Sequence, residues 1–202
     1  MIYMPPQRSS IYGDIALLHQ PMIAIIGSWT ASNRCMQNAS VFAKTLSNAG
    51  LVMLSGMARG IDGTADRPIF GLHHGLTLAV CGTGLDVVYP LEHLNLANDV
   101  AKGGLLLSKF PPEPWPKPFH FPRRNRLIAA LALGVVVIEA ADKSGSLIAA
   151  ELGKDVFALP KPAQDPLYRG CHRLIQEGEA RSLPGRSYER YHYGVKTPTQ
   201  SP

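Results

Sequence analysis

"MIAIIGS", residues 22–28, is five apolar residues in a row closed by a glycine and a serine. The run shows no polar–apolar alternation, and Ile23, Ile25 and Ile26 are β-branched. That pattern suits a strand buried on both faces, as strands are inside parallel sheets. The signature returns in "LVML" at 51–54, "LTLAV" at 76–80, "GLLL" at 104–107, "VVVI" at 135–138 and "DVFAL" at 155–159. Helix-forming stretches separate the runs, the first of them reaching Asn48. Alternation of this kind predicts an α/β fold, a doubly wound, mostly parallel sheet of Rossmann type.

The residues just past each run point to a site. Gly27-Ser28, Ser55-Gly56, Gly82-Thr83-Gly84, Ser108, and Glu139 followed by Ser144-Gly145-Ser146 all come after expected strands. In a parallel sheet these ends lie along one edge, where small residues let backbone N–H groups approach a phosphate or nucleotide. Each is an ordinary turn signal by itself. Five along one edge predict a pocket. "CGTGLDVV" (81–88) supplies only GxG, so the dinucleotide fingerprint is a poor match, and no P-loop motif occurs.

The totals narrow the class. The chain has 202 residues, 46% hydrophobic and 17% charged, enough for one domain with a core. Its apolar runs fall far short of the ~20 residues of a membrane span, and "MIYMPPQRSSIYGDIALL" lacks the features of a signal peptide. Cys35, Cys81 and Cys171 are odd in number, with no CxxC, which suits reduced thiols and a cytoplasmic location. His73 and His74 have no ligand partners at metal spacing, so neither a metal nor a cofactor is expected. Residues 1–20 read as a leader, 21–180 as the Rossmann domain, and 181–202 as a polar, disordered tail.

The net charge of +5 is concentrated. Between Ala101 and Arg126 there are six cations and one anion, an electrostatic footprint of the kind nucleic-acid binders carry. Within it, "HFPRRNRLIAAL" (120–131) reads as a helix whose first residue is Pro122. Arg123, Arg124 and Arg126 then crowd the end of a helix that already carries positive charge. Helical geometry puts 123 and 126 on one face and turns 124 away. One arginine is therefore expected to be structural, with Glu139 as its candidate partner, while the others face an anion. Asn125 can hold a loop or bond a base edge. The preceding "KFPPEPWPKPFHF" (109–121) holds five prolines and four aromatics. It is either a rigid loop plugging the surface or a stacking platform that includes Phe121.

In order, "IAIIGS", "GLVMLSGMARGIDGTA", "LTLAVCGTGLDVVYP", "FHFPRRNRLIAAL", "VVVIEAADKSGSLIAA", "DVFALP" and "RGCHRLIQEG" resemble the DNA-processing protein A (DprA/Smf) family over roughly residues 20–180. The resemblance implies an extended Rossmann-like fold that binds and protects single-stranded DNA and loads RecA recombinase onto it during natural transformation or recombination. No catalytic step is implied, and a homodimer made through the last part of the Rossmann region is. The family's DNA pocket maps onto Ser55, Gly56, Arg59 and Gly60, and onto Arg123, Arg124, Asn125 and Arg126. The neighbouring Gly27, Ser28, Lys109, Phe121, Ser144, Gly145 and Ser146 complete the expected site. Three arginine–phosphate contacts would give a salt slope of roughly −2 on single strands.

Several positions depart from the family pattern. Trp29 stands where a basic residue is frequent and offers an indole that can stack a base. Asp66 replaces a usual histidine, Pro68 interrupts a helix, Lys109 replaces an acid, and Lys161 replaces a glycine. The helix after Ala150 is about one turn short. Neither an extra N-terminal helical domain nor a C-terminal winged helix is expected, so the chain reads as the core alone. The rival class is a nucleotide-binding or nucleotide-hydrolysing Rossmann protein related to phosphoribohydrolases, whose "PGGxGTxxE" loop is missing here. Another is a degenerate protein that keeps only a partner surface. A tie between Arg59 and Asp62 or Asp66 would remove that arginine from the site.

Overall fold

Every apolar run is a strand in the computed structural model, which describes residues 9–67, 69, 76–112, 115–153, 155–160 and 165–183. The chain order is β1 (Ser10–Gly13), β2 (Met22–Ile26), α1 (Asn33–Asn48), β3 (Val52–Ser55), α2 (Ile61–Asp66), β4 (Thr77–Val80) and α3 (Leu94–Gly103). It continues with β5 (Leu105–Ser108), α4 (His120–Leu131), β6 (Gly134–Val137), α5 (Leu147–Glu151), β7 (Asp155–Ala158), α6 (Arg169–Gln176) and β8 (Arg181–Ser182). The strands lie in the order β1-β5-β4-β3-β2-β6-β7-β8. All pairs are parallel except β1 with β5, where Ser10 faces Ser108 and Gly13 faces Leu105.

Strand order reverses at β2, which pairs with β3 on one side and β6 on the other. Ligands of doubly wound sheets bind in the crevice beyond the strand ends at such a point. The loops leaving β2 and β6 carry Gly27, Ser28 and Trp29 on one side and Ser144, Gly145 and Ser146 on the other.

Burial explains the runs. β3, β4, β5 and β6 are buried at every residue, so both faces need apolar side chains. α1 buries Cys35, Ala39, Phe42 and Ala43, an i, i+4, i+7, i+8 stripe, and Gly50 at φ +85 turns the chain out of it toward β3. α5 has five residues, Leu147 to Glu151. No helix among the described residues is long and apolar enough to cross a membrane.

Both ends carry a short strand that the apolar runs do not mark. The residues read as a leader include β1, which pairs with β5 at the sheet edge. The residues read as a tail begin with β8, which pairs with β7, and Leu183 is buried. Both strands are short and fully exposed, so no apolar run marks them. Residues 1–8 and 184–202, with His73, His74, Pro68 and Lys161, lie outside the described residues.

Candidate nucleic-acid interface

α4 begins at His120, two residues before the expected start. Pro122 is then its third residue, which costs no hydrogen bond because the first four N–H groups of a helix have no partner inside it. His120, Arg124 and Ile128 share the buried face of this helix, four residues apart. Arg124 is thus the structural arginine, only 3% exposed. Its Nη1 donates to the carbonyl of Gly56, just past β3, and to that of Val80, the last residue of β4, at 3.2 Å. Its Nε donates to Asn125 Oδ1 at 2.7 Å.

The expected partner Glu139 is elsewhere. It comes after β6, and its Oε2 accepts from the hydroxyl (3.0 Å) and N–H (3.4 Å) of Ser32. The carboxylate that faces Arg124 is Asp62. Burial pushes the Asp62 pKa up, while Arg124 and the N–H groups of Gly56 and Ala58 oppose the rise. Burial pushes the Arg124 pKa down, and Asp62 opposes that. Strand-end carbonyls and a buried carboxyl therefore stabilise a cation where the helix end alone would repel it.

The glycine-rich loops pack against each other rather than standing open. Gly56 N–H donates to Asp62 Oδ2 at 3.1 Å and Ser28 N–H to the Glu139 carbonyl at 2.7 Å. Those donors, expected to meet a ligand, are already used. Gly60 (φ +69) presses on the Ser28 and Trp29 backbone, where any Cβ would collide with carbonyl oxygen. A Cβ at Gly27 would meet Ile61 at 2.6 Å. Across the crevice, Ser146 Oγ donates to the Gly27 carbonyl at 2.7 Å, and Asn125 Nδ2 to the Gly145 carbonyl at 2.8 Å. Ser146 N–H donates to Ser144 Oγ at 3.3 Å. Asn125 thus holds a loop, the first of the two roles its position allows.

Ser55 is buried and serves Asp66. Its hydroxyl donates to Asp66 Oδ2 at 2.6 Å and accepts from Met57 N–H at 3.0 Å. Thr77 Oγ1 lies 2.9 Å from Asp66 Oδ1 and 3.1 Å from the Met53 carbonyl. Burial pushes the Asp66 pKa up to about 7, with both hydroxyls opposing and Asp62 adding to the rise.

Arg59 pairs with neither Asp62 nor Asp66. Its guanidinium grips Glu92 through Nε and through an Nη2–Oε2 bond of 3.1 Å, with both side chains about half exposed. The hydrogen bond from Arg59 holds the Glu92 pKa down to about 2. Glu92 lies 33 residues along the chain, and no local motif marks it. Arg123 and Arg126 are exposed on the outer face of α4, and Arg123 stands 5.5 Å from the Phe119 ring.

Two clefts open at the strand ends. One lies among Arg59, Tyr89, Pro90 and Gly82. The other, the roomier of the two, lies over the β2/β6 crevice among Pro122, Asn125, Gly145 and Ser146. Trp29, Phe121 and Arg124 line both, whereas Lys109, half-buried beyond β5, lines neither. Phe121 sits 5.7 Å from Trp29, edge to face, and 5.5 Å from Tyr89. Tyr89 and Asp62 are participants that strand-end motifs did not single out. No cluster of His, Cys, Asp or Glu among the described residues has the makings of a metal site.

The profile of the family described as DNA recombination-mediator protein A matches residues 1–189. The chain is 44% identical to the DNA processing protein DprA of Streptococcus pneumoniae over 181 residues, covering 88% of this chain and 64% of that protein. It is 40% identical to the protein Smf of Escherichia coli, covering 86% and 47%. It therefore spans about half to two thirds of the length of these relatives. The solved structure of DNA processing protein A from Helicobacter pylori, a study of its single-stranded DNA binding mode, superposes with a TM-score of 0.79 at 31% identity, covering 90% of this chain and 84% of that one. A Rossmann-like sheet, an arginine-bearing helix start at its switch point and these matches carry one conclusion: the chain belongs to the DNA recombination-mediator protein A family, that of DprA and Smf.

Proposed function

We propose that this chain binds single-stranded DNA across the carboxyl edge of its sheet, without a chemical step, and presents it to a RecA-type recombinase. The observation that carries the reading is the division of labour at the start of α4. Arg124 is committed to the fold and walls two aromatic-lined clefts, while Arg123 and Arg126, which line neither, are exposed on the outer face of the same helix. Exposed guanidiniums meet phosphates, and aromatic walls take base faces, the combination used by binders of single strands. Strong identity to DNA processing proteins, and a single-strand-binding relative of the same fold, support it. Glu139, the acid that a nucleotide-hydrolysing reading would use, is fully buried and bonded to Ser32. The cytoplasmic location, the homodimer and the RecA partnership extend the same reading from the family.

Fluorescence anisotropy of labelled oligo-dT, titrated over a range of salt, tests it. Binding is expected to exceed that of a duplex of equal length. Arg123→Ala and Arg126→Ala should each weaken binding across all sequences alike and reduce the slope of log affinity against log salt by about 0.7. Their Tm values should stay close to the parent because both side chains are exposed. Equal affinity for duplex, or unchanged slopes in both variants, would remove the reading. Glu92→Gln frees Arg59 from its carboxylate and is expected to raise affinity at low salt, in the same titration.

A further inference from the structure

The two clefts share one wall. We infer that Trp29 and Phe121 form a wedge that holds two neighbouring bases of a bound strand apart, one base in each cleft. This rests on the single-strand reading and specifies how that strand lies.

Trp29 and Phe121 line both clefts, with their rings 76° apart in plane and 5.7 Å between centroids. Trp29 is 45% exposed, so its indole is open to an incoming ring. Phe121 is fixed from behind. A Cβ on Gly82 would come within 2.8 Å of its ring, so the phenyl lies directly on the backbone, and Tyr89 closes another side. The wall therefore has one exposed blade and one ring braced from behind.

The second cleft offers few free polar groups. Asn125 spends its amide nitrogen on Gly145 and its oxygen on Arg124, and Ser146 Oγ is given to Gly27. Asp62 also lines this cleft, its Oδ2 taken by Gly56 N–H, so ring face and alkyl surface predominate, which any base can stack on and which read no base edge. Phosphate partners stand outside, with Arg59 at the first cleft and Arg123 and Arg126 on the outer face of α4. Stacked bases rise only ~3.4 Å per step, a gap that admits no ring. A strand occupying both clefts must open one step by the thickness of an aromatic ring. Two base–ring stacks then replace one base–base stack, as in side chains that wedge between base steps.

The test uses the Trp115→Phe chain, in which Trp29 is the single tryptophan, because Trp115 is 77% exposed and lines neither cleft. Thymidine monophosphate, the dinucleotide and longer oligo-dT are titrated against Trp29 emission, with anisotropy run in parallel. Quenching is expected, together with a sharp gain in affinity from one nucleotide to two. Trp29→Ala should weaken oligo-dT binding about tenfold or more while leaving the salt slope unchanged, since stacking is lost and phosphate contacts are kept. Trp29→Phe should restore part of the loss. Bound oligo-dT with unaltered Trp29 emission, or Trp29→Ala within about twofold of the parent, overturns the wedge and leaves single-strand binding standing. A mononucleotide that binds as tightly as the oligomers also overturns it. Folded protein that binds no oligo-dT at low salt overturns the wedge and the single-strand reading together.

Discussion

Arg124→Ala is expected to lower stability by about 3–5 kcal/mol, the cost of breaking a buried charge pair from one side. The substitution leaves Asp62 buried without its cation and strips a donor from the Gly56 and Val80 carbonyls. In a chain of this length each kcal/mol shifts Tm by ~2–4 °C, so thermal melting should drop by about 6–20 °C. Urea unfolding gives the energy directly. The double variant Arg124→Met/Asp62→Asn should cost much less than the sum of its parts, because it removes both members of the pair. A loss under about 1 kcal/mol for Arg124→Ala would show that the pair does not hold the loops. Substituting all the helix-start arginines at once would mix this structural loss with lost phosphate contacts, so Arg123 and Arg126 are the informative positions for binding.

Asp66→Asn is expected to change how stability depends on pH. Geometry and burial agree on the proton. Thr77 has one hydroxyl hydrogen and two acceptors in reach, Met53 O and Asp66 Oδ1. A proton on Oδ1 resolves the conflict: the carboxyl donates to Thr77, and Thr77 donates to Met53. The Asp66 pKa lies near 7 in the folded chain, above an ordinary value of 3.8. The folded state therefore holds a proton that the unfolded state releases between those values. Its stabilising contribution is present in full below about pH 4 and fades as pH rises to about 7. Across that window the wild type should lose up to about 4 kcal/mol from this group. Asparagine donates through Nδ2 where the protonated carboxyl would, and accepts from Ser55 as before. The variant should show a flatter profile and exceed the wild type in urea stability at pH 8. Parallel profiles for the two proteins would place the proton elsewhere.

The parallel strands were legible because each apolar run is bounded by glycine, serine or a polar turn, and each lies within one residue of where it was read. The edge strands β1 and β8 were not. They gain their place from pairing alone, with no buried face to leave a pattern. At the site, helical geometry separates Arg124 from Arg123 and Arg126, so the existence of a structural arginine could be read. Its partners could not, since Gly56, Val80 and Asp62 come from a loop, a strand and a helix that only the fold brings together. Glu139 was the wrong partner because β6 delivers it to Ser32, at the start of α1. The expectation of open glycine N–H groups failed for a related reason. Asp62 reaches back from α2 to occupy Gly56 N–H, something its spacing of six residues does not advertise.

The grip of Glu92 on Arg59 bears on how many ions a binding curve counts. A cation that reaches a phosphate displaces small cations condensed on the strand, and their dilution is what the salt slope records. Arg59 arrives with a carboxylate tethered to it, so the two together carry no net charge and displace almost none. Arg59 can then add affinity while remaining invisible to the slope. The count of ions released by this protein should fall below the count of arginines at its surface.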